Sequence, residues 1–90
     1  MARFFRNRKA IEWKALAKAF GLEIVNNNRD GDDEVWGRKN KSGIVILIPS
    51  RDNEVVILPT AMTMARKFQL LLSISKKDIL KWWVDNGFGE

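Results

Sequence analysis

The chain has no cysteine and no histidine among its 90 residues. Without cysteine there is no disulfide, no thiolate metal site and no thiol nucleophile. Without histidine it lacks the commonest metal ligand and the usual general base near neutral pH. Zinc hydrolases and Ser-His-Asp enzymes are thereby excluded. No run of apolar residues approaches the ~20 needed to cross a bilayer, and the longest aliphatic stretch is Ile44–Ile48. The N-terminal residues carry no apolar signal-peptide core. The expectation is a cytoplasmic chain with no membrane contact. Only two prolines interrupt it, and no low-complexity linker or internal repeat divides it.

What is present suits one folded domain spanning residues 1–90. The composition is 46% hydrophobic and 30% charged, enough apolar residue to build a core. A chain of this length buries about 60–65% of its unfolded surface, so that core is modest.

Net charge is +5, and its distribution is uneven. Arg3, Arg6, Arg8, Lys9, Lys14 and Lys18 crowd the first twenty residues against Glu12 alone. Asp30, Asp32, Asp33 and Glu34 follow within five positions. Arg38, Lys39, Lys41 and Arg51 then occur with no acid between them. A basic start, an acidic turn and a basic loop point to a polyanion partner, RNA or DNA.

Periodicity predicts a helix over Lys9–Phe20, with Trp13, Leu16, Ala17 and Phe20 on one stripe and Gly21 as its stop. Leu22–Val25 and Asp33–Lys39 read as strands flanking an Asn/Asp/Gly turn. Ile44–Ile48, apolar at every position, reads as a central strand covered on both faces. Glu54–Leu58 reads as a fourth strand. Ala61, Met64, Ala65, Phe68, Leu71 and Leu72 mark a second helix, with Thr60 as its N-cap. Ser75 and Asp78 form a capping box that opens a third, whose apolar face holds Ile79, Leu80, Trp83 and Val84. Gly87 stops it. The predicted class is α+β, ordered α-β-β-β-β-α-α, with helices packed on one face of an antiparallel sheet.

Several residues are candidates for chemistry. Residues 1–8 form a basic arm in which Arg3 and Arg6 flank Phe4 and Phe5. Such an arm can neutralise phosphates and stack on bases, or its rings can cover the second face of the sheet. Lys76 and Lys77 sit at a helix N-terminus, where free N–H groups and cations can meet a phosphate. Trp36 lies between Glu34 and Arg38 at strand spacing and is a candidate stacking platform or a half-buried cross-strand partner. Trp83 falls on the core face of its helix, while Trp82 falls at the edge and is a candidate interface anchor. The acidic turn has the wrong spacing for an EF-hand loop, so no metal site is assigned.

Four pieces together resemble the HicA family of bacterial toxin ribonucleases, also called YcfA-like. They are Trp13–Leu22, Gly31-Asp32-Asp33-Glu34-Val35-Trp36, Ile44–Ile48 with Pro49, and Lys77–Gly87. The resemblance implies a fold similar to double-stranded RNA-binding domains, RNA as substrate, and a cognate antitoxin-like protein as partner. It departs at the family's catalytic histidine, whose position Asp33 holds. Any cleavage would fall to Asp33 or Glu34, and a carboxylate with an ordinary pKa is a weak base. Weak or absent nuclease activity is therefore expected, with no cofactor. The expected phosphate contacts are Arg3, Arg6, Lys14, Lys18, Arg38, Lys39, Lys41, Lys76 and Lys77, with Trp36 stacking. The rival expectation is a protein–protein interaction module, or a homodimeric regulator of phage or plasmid type, supported by the two-sided apolar sheet, Trp82 and the extra helix Thr60–Leu72.

Overall fold

A computed structural model describes residues 8–27, 33–38 and 43–88. Its elements are β1 (Arg8–Lys9), α1 (Ala10–Ala19), β2 (Glu23–Asn27), β3 (Asp33–Gly37), β4 (Ile46–Pro49), β5 (Val55–Val56), α2 (Leu58–Leu72) and α3 (Lys76–Asp85). The class is α+β, with two antiparallel sheets. One is the meander β2-β3-β4 and the other pairs β1 with β5.

Two expectations about the strands change. The fourth strand does not extend the meander: Val55 and Val56 pair with Lys9 and Arg8. Arg8, expected in the basic arm, is thus part of the fold, while residues 1–7, with Phe4 and Phe5, lie outside the described residues. Hydrogen bonds from the Ala10 and Ile11 amides to the Glu54 and Asp52 carbonyls carry this pairing into α1. The strand β4, in turn, is an edge strand, because β3 lies between it and β2. Its alternation is that of a strand with one covered face. Ile46 and Ile48 are buried, while Leu47 between them is 44% exposed. An unbroken apolar run does not by itself reveal how many faces are covered.

The covered face follows from register. Trp36 stands opposite Ile46, and Glu34 opposite Ile48. Trp36, Ile46 and Ile48 meet Trp13 and Leu16 of α1, Phe68 of α2, and Ile79 and Trp83 of α3 in one core. Trp13 is its hub, stacked on Phe68 at 5.7 Å and meeting Trp83 edge-on at 4.8 Å. Edge-to-face and offset rings at such separations add roughly 0.5–1.5 kcal/mol each beyond burial.

The helix signals resolve locally. α2 begins earlier than expected, with Ile57 at the N-cap and Pro59 in the first turn, so Thr60 lies inside the helix. Proline fits there because the first turn's amides have no intrahelical acceptor. Ser73 closes α2 in the left-handed conformation (φ 57°). Ser75 caps α3 as expected. Its Oγ accepts from the Asp78 amide at 3.1 Å, and Asp78 Oδ2 accepts from the Ser75 amide at 2.9 Å. Gly87 follows the helix at φ 85°, a conformation that glycine adopts without strain.

Candidate nucleic-acid interface

The expected contact residues divide into three groups. Arg3, Arg6, Lys39 and Lys41 lie outside the described residues. Lys14 and Trp36 are interior. Lys18, Arg38, Lys76 and Lys77 are exposed.

Lys14 is corrected from a phosphate ligand to a structural tie. It is 6% exposed, and its ammonium donates to the Ser50 carbonyl at 2.7 Å and to Asp52 Oδ1 at 2.8 Å. Glu34 Oε1 lies 3.4 Å away. The helix stripe that carries Trp13 and Ala17 into the core carries the neighbouring lysine to its rim. A buried cation requires such partners. Trp36 is corrected likewise: at 2% exposure it has no face for a base. Its indole N–H donates to Glu34 Oε1 at 3.2 Å, so the flanking acid serves the buried ring.

The two candidate catalytic carboxylates do not converge. Asp33 and Glu34 are consecutive in β3 and so point to opposite faces. Glu34 faces the core side with Lys14 and Trp36. Asp33 lines a cleft on the other side with Glu54 and Lys67. Asp30 and Asp32 lie outside the described residues. Among the described residues no three acids gather in a way that would hold a metal ion.

One of the exposed cations is tied to the end of α2 by a long-range contact. The Arg38 guanidinium, leaving the end of β3, donates to the Leu71 carbonyl at 3.1 Å. Leu71 is in the last turn of α2, and Lys76 and Lys77 open α3 only five and six residues later. Chain length places Lys76 and Lys77 at most about 16–20 Å from Leu71, with Ser73 between them in the left-handed conformation. Asp78, the residue after Lys77, is exposed, and its carboxylate accepts from the Ser75 amide of its own cap. Its carboxyl sits below the usual carboxylate value, held there first by the Ser75 amide, then by the Ser75 hydroxyl and the charge of Lys81. The capping box occupies the Asp78 amide, one of the donors expected to be open to a phosphate.

Beside this turn is a shallow groove of about 300 Å³, lined by Phe20, Ile74, Asp78, Lys81, Trp82 and Asp85. Trp82 is half-buried, with its ring stacked 5.8 Å from Phe88. Phe20, Ile74 and Lys81 escape a sequence reading of this site, because tertiary packing joins three separate segments there. The edge position of Trp82 was the one legible signal.

No family model, curated protein or solved structure matches the chain.

Proposed function

We propose that this protein binds RNA through its exposed cations Arg38, Lys76 and Lys77, with Lys18 of α1 as a further exposed cation. The carrying observation is the Arg38–Leu71 hydrogen bond, which brings a strand-end cation to the α2–α3 turn. Clustered cations bind a phosphate backbone by releasing its counterions. The resemblance to HicA-type toxins supports RNA as the nucleic acid, and DNA is the alternative ligand. A cognate antitoxin-like protein belongs to the same proposal.

Efficient cleavage is not part of it. Glu34 is committed to Lys14 and the Trp36 indole, and Asp33 stands on the other face without a histidine to assist it. The test is a fluorescence titration against single-stranded and duplex RNA from 50 mM salt upward. The plot of log K against log salt is expected to be steep. Each neutralised phosphate contributes a slope of roughly −0.7 to −0.9. Replacing Arg38, Lys76 and Lys77 by Ala flattens the slope by about 2. Absence of binding at low salt, or an unchanged slope in the triple variant, overturns the proposal.

A second reading has its own observation. The groove at Trp82 is lined by the apolar Phe20, Ile74 and Trp82 together with the charged Asp78, Lys81 and Asp85, residue types suited to a small protein-binding anchor. Molar mass in solution with and without RNA separates self-association from RNA binding.

A further inference from the structure

The strand β4 has β3 on one side and, among the described residues, no strand on the other. Pro49 fixes which of its backbone groups are spare. It stands opposite Asp33 and has no N–H to give, so that pair is the kind that exchanges no hydrogen bonds. Alternation along the ladder then turns the backbone groups of Ile46 and Ile48 toward β3 and points the Leu47 N–H and C=O away from it. A cleft of about 350 Å³ follows this free edge. Its lining joins Leu47 and Asp33, on the sheet's outer face, to Met64 of α2, which belongs to the core behind the sheet. A hollow touched from both sides passes round the edge of β4. The outer face itself carries the exposed Val25 and Leu47 and the half-buried Val35.

We infer that this edge takes an extended peptide segment of a partner protein, added to β4 as a further strand and carrying a lysine or arginine two residues from an apolar side chain. The spare Leu47 amide and carbonyl supply the main-chain bonds, since an unpaired edge is a template for strand addition. The Leu47 side chain and Val35 opposite it receive the apolar residue. Charge selects the cation: Asp33 and Glu54 against Lys67 leave the lining one charge negative. Asp33 shares the outer face with Leu47 and stands opposite Pro49, two residues further along β4. A peptide side chain two positions on, about 6.6 Å away, therefore arrives beside it.

A second copy of this chain fits the edge less well. Two β4 strands paired antiparallel about Leu47 set Pro49 of each copy opposite Val45 of the other, and the missing proline N–H leaves the Val45 carbonyl without its donor. Nor does β4, which reads Ile46-Leu47-Ile48-Pro49, hold a cation to meet Asp33 and Glu54. A partner segment with a basic residue supplies both. The surface is separate from the one in the RNA reading, which uses Arg38, Lys76 and Lys77.

The test titrates the unmodified, isotope-labelled protein with two acetylated and amidated hexapeptides of threonine, valine and lysine. Valine and lysine stand two positions apart, in one order and in the other, because an edge accepts a strand in either direction. With at least one peptide the Leu47 amide resonance is expected to shift, and its exchange with solvent to slow at least tenfold at saturation. Glutamate in place of the lysine should weaken binding at least tenfold, a comparison that leaves the protein unaltered. Asp33→Asn with Glu54→Gln should remove the preference for lysine over glutamate. The inference is overturned by an unmoved Leu47 amide with both peptides at millimolar concentration, by equal binding of the lysine and glutamate forms, or by shifts confined to the Trp82 groove. Protection of the Leu47 amide that rises with protein concentration alone makes a second copy the occupant and overturns it too. RNA affinity does not enter the measurement, so this inference and the RNA proposal can fail separately.

Discussion

Glu12 shows how much one side chain can organise. Its carboxylate accepts from the Lys9 amide at 2.7 Å and from the Arg8 guanidinium at 2.9 Å, while its backbone carbonyl accepts the Trp83 indole N–H at 2.9 Å. Arg8 in turn lies over the Trp83 ring, 4.1 Å from its centroid. Trp83 is thus packed, hydrogen-bonded and in cation–π contact at once. Trp83→Ala is expected to destabilise the protein by about 3–5 kcal/mol, read as a lowered urea midpoint. Trp82→Ala, at the half-exposed groove, should cost far less stability. If both substitutions shift the midpoint equally, Trp82 is core and the groove loses its role as a docking surface. Lys14 supplies a second residue-scale expectation. Lys14→Ala removes two charge-assisted hydrogen bonds and leaves Glu34 and Asp52 without their cation. A loss of about 1.5–3 kcal/mol by chemical denaturation is expected. Were Lys14 a phosphate ligand instead, the same change would weaken RNA affinity and spare stability.

At the scale of elements, α3 carries its own start signal, and that signal has a pH signature. The Asp78 carboxyl is lowered below its ordinary value of 3.8 by the Ser75 hydrogen bonds. A depressed folded value means stability that is present above the unfolded value and lost as pH falls through the folded one. Asp78→Asn should therefore destabilise the protein at neutral pH, and the difference from the unmodified chain should close as pH falls below about 3.8. Thermal melts of both proteins between pH 2 and 7 measure this. A constant difference across that range would show that the carboxylate's charge contributes nothing. The short β1–β5 pairing has another role. It is two residues long, yet it carries the chain into α1 through the Ala10 and Ile11 amides.

Across the whole molecule, charge and apolar surface are sorted by position. The sheet's inner face holds the tryptophan-rich core, and its outer face holds a valine and leucine strip ending in an acidic cleft. Arg38 is bonded to Leu71 in the last turn of α2, ahead of the exposed Lys76 and Lys77 that open α3. Should the Trp82 groove be the main interface, the unmodified protein would show a concentration-dependent molar mass that Trp82→Ala abolishes. Under the RNA reading, a monomer mass is expected without RNA and a complex mass with it, and Trp82→Ala leaves the free mass unchanged. Light scattering across a hundredfold concentration range distinguishes the two.

Local signals were legible wherever the responsible atoms are close in sequence. The Ser75–Asp78 box, the stripe of Trp13, Leu16 and Ala17, the core position of Trp83 and the α+β class all follow from periodicity, capping and turn chemistry within a few residues. The partner of Glu54–Leu58, the edge position of Ile46–Pro49 and the burial of Lys14 and Trp36 depend on contacts between distant segments. A strand's own residues cannot state which neighbour completes its ladder, nor how many of its faces are covered. The same limit separated Asp33 from Glu34: their adjacency suggested a pair, and the period of two in β3 sends them to opposite faces. Tertiary packing decided which charges became interior ties and which remained outside. Desolvating a charge is tolerated only where a partner from elsewhere in the chain arrives to meet it, as Asp52 and Glu34 do for Lys14.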